Sequence, residues 1–216
     1  MHSPLRIAVL ASGRGSNLAA LIAARDAGTL PVELVLVASD KASAGALRLA
    51  EAAGIPTLAL NPKSYPDRPG FDRDLFARIA ACGAELLVLA GFMRVIDGSV
   101  VAEWEGRAIN VHPSLLPKYP GLHTHRRCLE AGDAEHGASV HYVTAELDGG
   151  PVVAQARIPV GTGDNKETLA ERLLADEHRL LPAVVGAIAN DRLRWTGEPV
   201  FADRTVTAPL SIEPLS

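Results

Sequence analysis

Short apolar runs alternate with segments of helical periodicity through the first half of the chain. Five runs are predicted to be β-strands: residues 7–10, 34–38, 57–60, 86–90 and 108–111. Three intervening segments each end at a glycine, the residue that helix C-caps favour, and are predicted to be helices: residues 17–27, 44–53 and 71–82. This alternation is typical of βα units that build a parallel sheet.

The pattern changes after residue 112. Three prolines between residues 113 and 120 break helical periodicity, so that segment is predicted to be a loop. Residues 139–144 and 152–160 resemble a pair of antiparallel strands. The sheet is therefore predicted to be mixed, with its antiparallel portion towards the carboxyl terminus.

A last helix is predicted from residue 164 or 165 to about residue 189, with Asp164 and Glu167 at the spacing of a capping box. No repeat or linker divides the chain. The pattern predicts a single α/β domain over residues 1–216, built on a mostly parallel, twisted sheet.

Composition narrows the function classes. The chain is 48% hydrophobic and 21% charged, and its formal net charge of −4 disfavours broad adhesion to nucleic acid. No run of about 18 apolar residues and no cationic leader are found, so a cytoplasmic location without membrane attachment is predicted. Cys82 and Cys128 stand alone, and neither a disulfide nor a metal site is expected.

A glycine-rich turn, Ser-Gly-Arg-Gly-Ser-Asn at residues 12–17, joins the first predicted strand to the first predicted helix. Glycines let backbone approach a ligand, and the free amides of a helix N-terminus attract anions. The turn is therefore a candidate phosphate site, although a tight turn with Ser16 as N-cap explains the same residues. Leu18 breaks the dinucleotide fingerprint, and the lysine of a P-loop is missing.

Asn110 and His112 end the fifth predicted strand. Side chains alternate along a strand, so these two share one face, roughly 6.6 Å apart, while Val111 faces the other side. They lie at the edge where open α/β sheets bind ligands. A structural histidine is the bland alternative, but the pairing with asparagine favours catalysis.

Two carboxylates are further candidates. Asp148, in the sequence Asp-Gly-Gly, fits both a hairpin turn and a catalytic acid. Glu177 falls on the apolar stripe of the last helix, where a carboxylate needs a partner. We expect that partner to be a cation or a ligand at the sheet, or else the cation of a salt bridge at the end of the core.

Four longer segments resemble the phosphoribosylglycinamide formyltransferases: residues 88–94, 110–125, 137–143 and 147–151. The resemblance extends from about residue 6 to residue 195. It implies a Rossmann-like formyltransferase fold and transfer of a formyl group from 10-formyltetrahydrofolate to the amine of phosphoribosylglycinamide, a step of purine biosynthesis. The nucleotide-like substrate is then expected in the amino-terminal half and the folate in the carboxyl-terminal half.

The resemblance also assigns residues. The catalytic residues are Asn110, His112 and Asp148. The substrate phosphate is assigned to Gly15, Ser16 and Asn17, with further substrate contacts from Arg68 and Glu177. The folate pocket is assigned to Phe92, Met93, Arg94, Val95, Asn110, Ala145, Glu146, Leu147 and Asp148. Arg14 departs from the family pattern, which has a small polar residue there. No metal, nucleic acid or membrane partner is implied, and the expected state is a monomer or homodimer.

The implied chemistry suits these residue types. When an amine attacks a formyl carbon, the formyl oxygen becomes negative, and the Asn110 amide and a His112 imidazolium can stabilise it. The Asp148 carboxylate can accept the proton of the amine and return it to the leaving nitrogen. His112 and Asp148 are expected to titrate as a coupled pair.

Three alternatives stay open. Methionyl-tRNA formyltransferase shares the Asn-x-His and Asp-Gly-Gly pattern, but we expect it to carry an extra carboxyl-terminal RNA-binding domain. Formyltetrahydrofolate deformylase would hydrolyse the formyl group instead of transferring it, and we expect it to carry an amino-terminal regulatory domain. A non-enzymatic anion-binding α/β module is the alternative from another class. Dependence of formyl release on the amine separates them. His123, His125 and His136 are expected to be exposed loop residues, and no function is predicted for the tail from Gly197.

Overall fold

A computed structural model describes residues 3–212 and Leu215. Its main strands are β1 (Leu5–Leu10), β2 (Val32–Ser39), β3 (Thr57–Ala59), β4 (Leu86–Leu89), β5 (Ala108–His112), β6 (Glu135–Tyr142) and β7 (Val152–Pro159). They form one seven-stranded sheet in the order β3-β2-β1-β4-β5-β6-β7. The first five strands pair in parallel, and β6 and β7 pair antiparallel. The predicted mixed sheet is confirmed.

The α-helices are α1 (Ser16–Asp26), α2 (Gly45–Ala52), α3 (Arg68–Ala81), α4 (Gly98–Ala102), α5 (Thr124–Ala131) and α6 (Lys166–Ala189). A short 3₁₀ helix covers Pro62–Ser64. The three crossover helices and the last helix are confirmed, whereas α4 and α5 lie where no helix was predicted. None of the described helices has the length and apolar character needed to cross a membrane.

The N-terminus of α6 differs in detail from the prediction. Asn165 is the N-cap, and its side chain accepts hydrogen bonds from the backbone N–H groups of Glu167 and Thr168. Thr168 completes the capping box by accepting from the Asn165 backbone N–H, at 3.0 Å. Asp164 instead accepts from the Gly161 N–H and pairs with Arg172. The predicted Asp164–Glu167 box was wrong because the helix begins one residue later.

Two apolar layers cover the sheet. On one face Val88 and Val111 pack in the same cluster as Leu173 and Leu180 of α6. On the other face the side chains of the alternate strand residues pack against α3, including Phe71. Val111 therefore faces α6, as the strand alternation predicted, and Asn110 and His112 lie on the opposite face of the sheet at the carboxyl end of β5.

The carboxyl-terminal tail forms a second, three-stranded sheet from β8 (Leu193–Trp195), β9 (Pro199–Phe201) and β10 (Arg204–Thr205). The Trp195 ring packs against Tyr142 with the ring centroids 4.7 Å apart. Further along, the Leu210 N–H donates to the Val153 carbonyl and the Gln155 N–H donates to the Leu210 carbonyl, both at 2.8 Å. The tail thus lies along the outer edge of β7.

Candidate active site

The loop after β5 is anchored to the sheet by a buried polar network. Ser139 Oγ donates to the Ser114 carbonyl at 2.7 Å and accepts from the Leu116 N–H at 3.0 Å. Gln155 Nε2 donates to the Leu116 carbonyl at 2.9 Å. A cavity of about 420 Å³ opens on this side of the loop, but Asn110, His112 and Asp148 do not line it. The network fixes the start of a loop that returns towards the end of β5.

His112 is 6% exposed and lies between two acceptors. Its Nε2 is 2.9 Å from the Tyr119 carbonyl oxygen, and its Nδ1 is 3.5 Å from Asp148 Oδ2. Burial lowers the pKa of His112, and the Tyr119 carbonyl and the Asp148 charge oppose that effect only in part. Burial therefore favours the neutral ring, in which Nε2–H donates to the Tyr119 carbonyl and Nδ1 faces Asp148.

Tyr119 is held in place by its side chain. Its hydroxyl donates to Asp133 Oδ2 at 2.7 Å, and Lys118 Nζ pairs with the same oxygen at 2.9 Å. The hydrogen bond to Asp133 raises the pKa of Tyr119 to about 12. Arg127 lies over the ring, 5.2 Å from its centroid. These contacts fix the carbonyl that orients the His112 ring.

Asp148 brings the candidate catalytic residues together. Its Oδ2 accepts from the Gly121 N–H at 2.7 Å, and its Oδ1 lies 3.4 Å from Asn110 Nδ2 and 3.5 Å from His141 Nε2. Burial acts to raise the pKa of Asp148, but the neighbouring His141, the hydrogen bond from the Gly121 N–H and the nearby His112 together outweigh it, so the pKa is lowered. The predicted trio therefore meets around one ionised carboxylate.

His141 is a member of this group that the sequence reasoning did not assign. It lies opposite Asn110 in the β5–β6 pairing. Its Nδ1 is 2.9 Å from the Tyr142 carbonyl, which makes Nδ1 the protonated nitrogen, and its Nε2 then accepts from Asn110 Nδ2 at 3.1 Å. The available signal was a histidine two residues after Ser139, in a segment predicted to be a strand.

The glycine-rich turn has the geometry of an anion site. Gly15 is the N-cap of α1 in the left-handed conformation, with φ 86°, and no side chain caps the first turn of the helix. A Cβ at Gly15 would lie 2.7 Å from the Ala46 Cα, so only glycine fits there. Ser16 is the first helical residue and not the N-cap. The first amides of α1 are thus free to bind an anion.

Glu177 pairs with a neutral amide. Asn17 Nδ2 donates to Glu177 Oε2 at 2.9 Å, and each residue is 8% exposed. Burial raises the pKa of Glu177, and the Asn17 bond only partly opposes it. The expected cation or end-of-core salt bridge was wrong. Asn17 is the last residue of the glycine-rich turn. Its Oδ1 is buried and has no hydrogen-bond partner among the described residues, so this oxygen can still accept a hydrogen bond.

The predicted folate segments expose large apolar side chains, and so does Leu122, next to Gly121. Met93, Val95, Leu122 and Leu147 are 61%, 48%, 65% and 53% exposed, unlike most large apolar residues of the chain. Phe92 is buried in the core, Arg94 lies over the Phe71 ring, and Ala145 packs close to Gly98, while Glu146 is exposed. Only part of the predicted segment therefore offers its side chains to a ligand.

Arg68 is the first residue of α3. Its charge and that of Arg94 both act on Asp72. Hydrogen bonds from Ser99 lower the pKa of Asp97 and the Arg68 charge adds to that effect, while burial raises the pKa of Asp72 and the Arg68 charge opposes it. The Asp97 N–H donates to Asp72 Oδ2 at 2.8 Å. Within residues 3–212, no hydrogen bond or ion pair joins Arg68 to the Gly15 turn, so its substrate contact stays a prediction.

Two of the three loop histidines are not exposed. His136 is 1% exposed on β6, and its Nε2 is 2.9 Å from His125 Nδ1 on α5. Burial lowers the pKa of His136 to about 4. The predicted exposure was wrong for both because β6 begins at Glu135 and α5 covers it. His123 is exposed, as predicted, and is the N-cap of α5.

The family model described as formyl transferase matches residues 5–185. The fold, with Asn110, His112 and Asp148 gathered at the carboxyl end of β5, agrees with that match, and the chain belongs to the formyl transferase family. In the part of the chain that the structure describes, no three His, Cys, Asp or Glu residues are grouped to hold a metal.

Relatives narrow the family to one branch. The phosphoribosylglycinamide formyltransferase of Escherichia coli (strain K12) is 46% identical over 199 residues, which cover 92% of this chain and 94% of that protein. A solved phosphoribosylglycinamide formyltransferase from Coxiella burnetii superposes with a TM-score of 0.92 at 42% identity, covering 96% of this chain and 99% of that one. The resemblance is confirmed, and the chain is a formyltransferase.

The same unit also occurs inside larger proteins. The trifunctional purine biosynthetic protein adenosine-3 of Gallus gallus is 44% identical over 186 residues, which cover 86% of this chain but 18% of that protein. The relatives thus include both chains of this size and a segment of a longer purine-biosynthetic protein.

Proposed function

We propose that this chain transfers the formyl group of 10-formyltetrahydrofolate to the amine of phosphoribosylglycinamide. The observation that carries the proposal is the convergence of Asn110, His112 and His141 on the Asp148 carboxylate, with all three side chains within 3.5 Å of it. The names of the relatives agree with the choice of amine.

The phosphate end of the amine substrate is assigned to the free amides of Gly15, Ser16 and Asn17. The electrostatics support this, because an uncapped helix N-terminus favours an anion. Glu177 and the unused Asn17 Oδ1 lie beside that turn and suit the donor groups of a glycinamide. Arg68 is retained as a further substrate contact.

The folate is assigned to the surface bounded by Met93, Val95, Leu122 and Leu147. Exposed apolar side chains of this size are unusual on a protein surface and fit the flat rings of a folate. Ala145, Glu146 and the polar groups of Asn110 and Asp148 complete the proposed pocket. Arg94 lies at its margin, against Phe71.

Asn110 and His112 stabilise the formyl oxygen as it becomes negative. Both Asn110 Nδ2 hydrogens are engaged, one by His141 at 3.1 Å and the other by Asp148 at the longer distance of 3.4 Å. The longer contact is the weaker one and is the one we propose is released to the oxygen. Negative charge forming beside His112 favours its protonated form, so the ring takes a proton from solvent and becomes a second donor, which is charged.

Asp148 carries the proton. The amine nitrogen forms a bond to the formyl carbon and its proton passes to Asp148, directly or through water; the carboxyl then gives the proton to the leaving N10 as the carbon–N10 bond breaks. A protonated Asp148 no longer attracts the Asn110 N–H strongly. The same proton transfer therefore frees the donor that the oxygen needs.

The proposal is tested by following tetrahydrofolate release from 10-formyltetrahydrofolate with and without phosphoribosylglycinamide. Release is expected only with the amine, because a transferase should assemble its productive geometry when both substrates are bound. Rapid release without the amine would instead identify a deformylase, and binding without release would identify a binding protein. A monomeric or homodimeric state and a cytoplasmic location stay predictions from the sequence.

A further inference from the structure

Ser12 joins two segments that are distant in the chain. It lies two residues after the end of β1, is 5% exposed and begins the glycine-rich turn. Its backbone N–H donates to the Gly91 carbonyl at 3.0 Å, and its Oγ accepts from the Met93 N–H at 2.9 Å. Met93 is 81 residues away along the chain. Two hydrogen bonds of opposite direction thus hold the turn to the segment after β4.

The Met93 backbone depends on this hydroxyl. Gly91 reverses the chain with φ 80°, and the Met93 side chain is largely exposed, so side-chain packing does little to fix this residue. Phe92, between them, is buried and keeps the segment attached to the core. Loss of the Ser12 hydroxyl should therefore loosen Met93 without unfolding the strand that precedes it.

We propose that Ser12 is a positioning residue that couples the phosphate turn to the folate pocket. The inference rests on the proposed function, which puts a phosphate at Gly15–Asn17 and a folate beside Met93. Ser12 touches neither ligand in this assignment. Through its two hydrogen bonds, a restraint on the motion of the glycine-rich turn also restrains the segment of Gly91 and Met93, and the reverse holds.

The physical basis is the entropy of the two segments. An anion on the first amides of α1 restrains the turn, and through Ser12 it restrains Gly91 and Met93. A folate that binds next then meets a wall that is already ordered, so it binds more tightly. The effect is reciprocal, since coupling between two binding equilibria works in both directions.

The test uses tetrahydrofolate and ribose 5-phosphate, which has the phosphate but no amine to touch the folate. Calorimetry gives the Kd of tetrahydrofolate with and without saturating ribose 5-phosphate. In the unaltered protein we expect tightening by about threefold to tenfold, the worth of one hydrogen bond. The ratio of the tetrahydrofolate Kd without ribose 5-phosphate to the Kd with it should fall close to one in Ser12→Ala. The Kd of each ligand measured alone should change less. Ser12→Thr, which keeps a hydroxyl, should restore the ratio.

Ser64→Ala is the control, because Ser64 is an exposed serine of the 3₁₀ segment that is assigned to neither ligand, and this variant should keep the Kd ratio of the unaltered protein. The inference is overturned if folded Ser12→Ala keeps the Kd ratio of the unaltered protein. It is also overturned if ribose 5-phosphate does not change the tetrahydrofolate Kd of the unaltered protein. If the unaltered protein binds neither ligand, the proposed function itself fails.

A second measurement needs no variant. Hydrogen exchange of residues 90–95 in the unaltered protein is compared with and without ribose 5-phosphate. Slower exchange of the Met93 amide is expected, because its bond to Ser12 becomes more persistent. Unchanged exchange at saturating ribose 5-phosphate would contradict the coupling even if Ser12→Ala failed to fold.

Discussion

Replacement of Asp148 by asparagine removes the proposed proton carrier and leaves most of its contacts possible. The amide oxygen can still accept from the Gly121 N–H, the bond that Asp148 Oδ2 makes at 2.7 Å. The amide nitrogen would take the place of Oδ1, 3.5 Å from His141 Nε2, and only the long 3.4 Å contact with the Asn110 amide would be lost. Asp148 has φ 50°, a conformation that asparagine tolerates well. The variant should therefore fold.

The effect on turnover follows from the chemistry that is lost. General acid–base catalysis contributes about 100- to 10,000-fold, so kcat of Asp148→Asn should fall by that range, or about 3 to 5 kcal/mol of transition-state stabilisation. Binding of both substrates should change much less, because no proposed ligand contact other than the carboxylate is removed. Stability should change by about 1 kcal/mol or less.

The assay is the initial rate of tetrahydrofolate formation at saturating concentrations of both substrates, with the Kd of each ligand measured separately. Asp203→Asn is a suitable control. Asp203 also has positive φ, at 63°, but it lies in the β9–β10 turn, where it pairs with Arg194. The control tests whether asparagine in this backbone conformation is itself harmful.

The pH profile gives a second reading. Because the pKa of Asp148 is lowered in the folded protein, the carboxylate form is present at neutral pH and is lost only as the pH falls through that lowered value. An acid limb of kcat from this group should be absent in the residual activity of Asp148→Asn. Full turnover in the folded variant would show that Asp-Gly-Gly is only a turn.

Three further predictions follow from other contacts. Asn110→Ala should lower kcat roughly 100- to 1000-fold with a smaller effect on Kd, and steady-state kinetics with an unchanged kcat would exclude Asn110 from the mechanism. Gly15→Ala should weaken ribose 5-phosphate binding in calorimetry, because its Cβ meets Ala46 at 2.7 Å, whereas Gly28→Ala shares positive φ with no atom within 4 Å and should bind normally. Because the pKa of His136 is lowered to about 4, the stability it contributes is present above pH 6.5 and lost as the pH falls towards 4, so Tm should drop over that range and His136→Gln should flatten the drop.

Local patterns were sufficient for the sheet and the long helices. The strands are short apolar runs and the crossover helices end at glycines, so periodicity and capping alone locate them. The short helix α4 has five residues, too few for a period to show. The helix Thr124–Ala131 was missed for another reason: it begins just after Pro120 and Gly121, and its mostly polar sequence has a buried side of only Thr124 and Cys128, too short to show a helical period.

The site was predictable only as far as residue identity could indicate chemistry. Asn110, His112 and Asp148 were assigned through resemblance, and the structure brings them together. The partner of Glu177 could not be deduced, since Asn17 lies 160 residues away and is uncharged. His141 was missed because its contact with Asn110 depends on the register between β5 and β6. The predicted strand began at residue 139, four residues after the true start of β6 at Glu135, so that register could not be deduced.

The position of Leu210 on the outer edge of β7 has a consequence for self-association of the protein. A strand at the edge of a sheet offers a row of unpaired backbone groups to any extended chain that meets it, and proteins commonly cover or charge such edges. Here Leu210 occupies the groups of Val153 and Gln155, and the exposed Arg157 carries a charge two residues further along the strand. A chain cut short before Leu210 would uncover that strip beside an apolar core, and strand addition between copies would then compete with the correctly folded sheet.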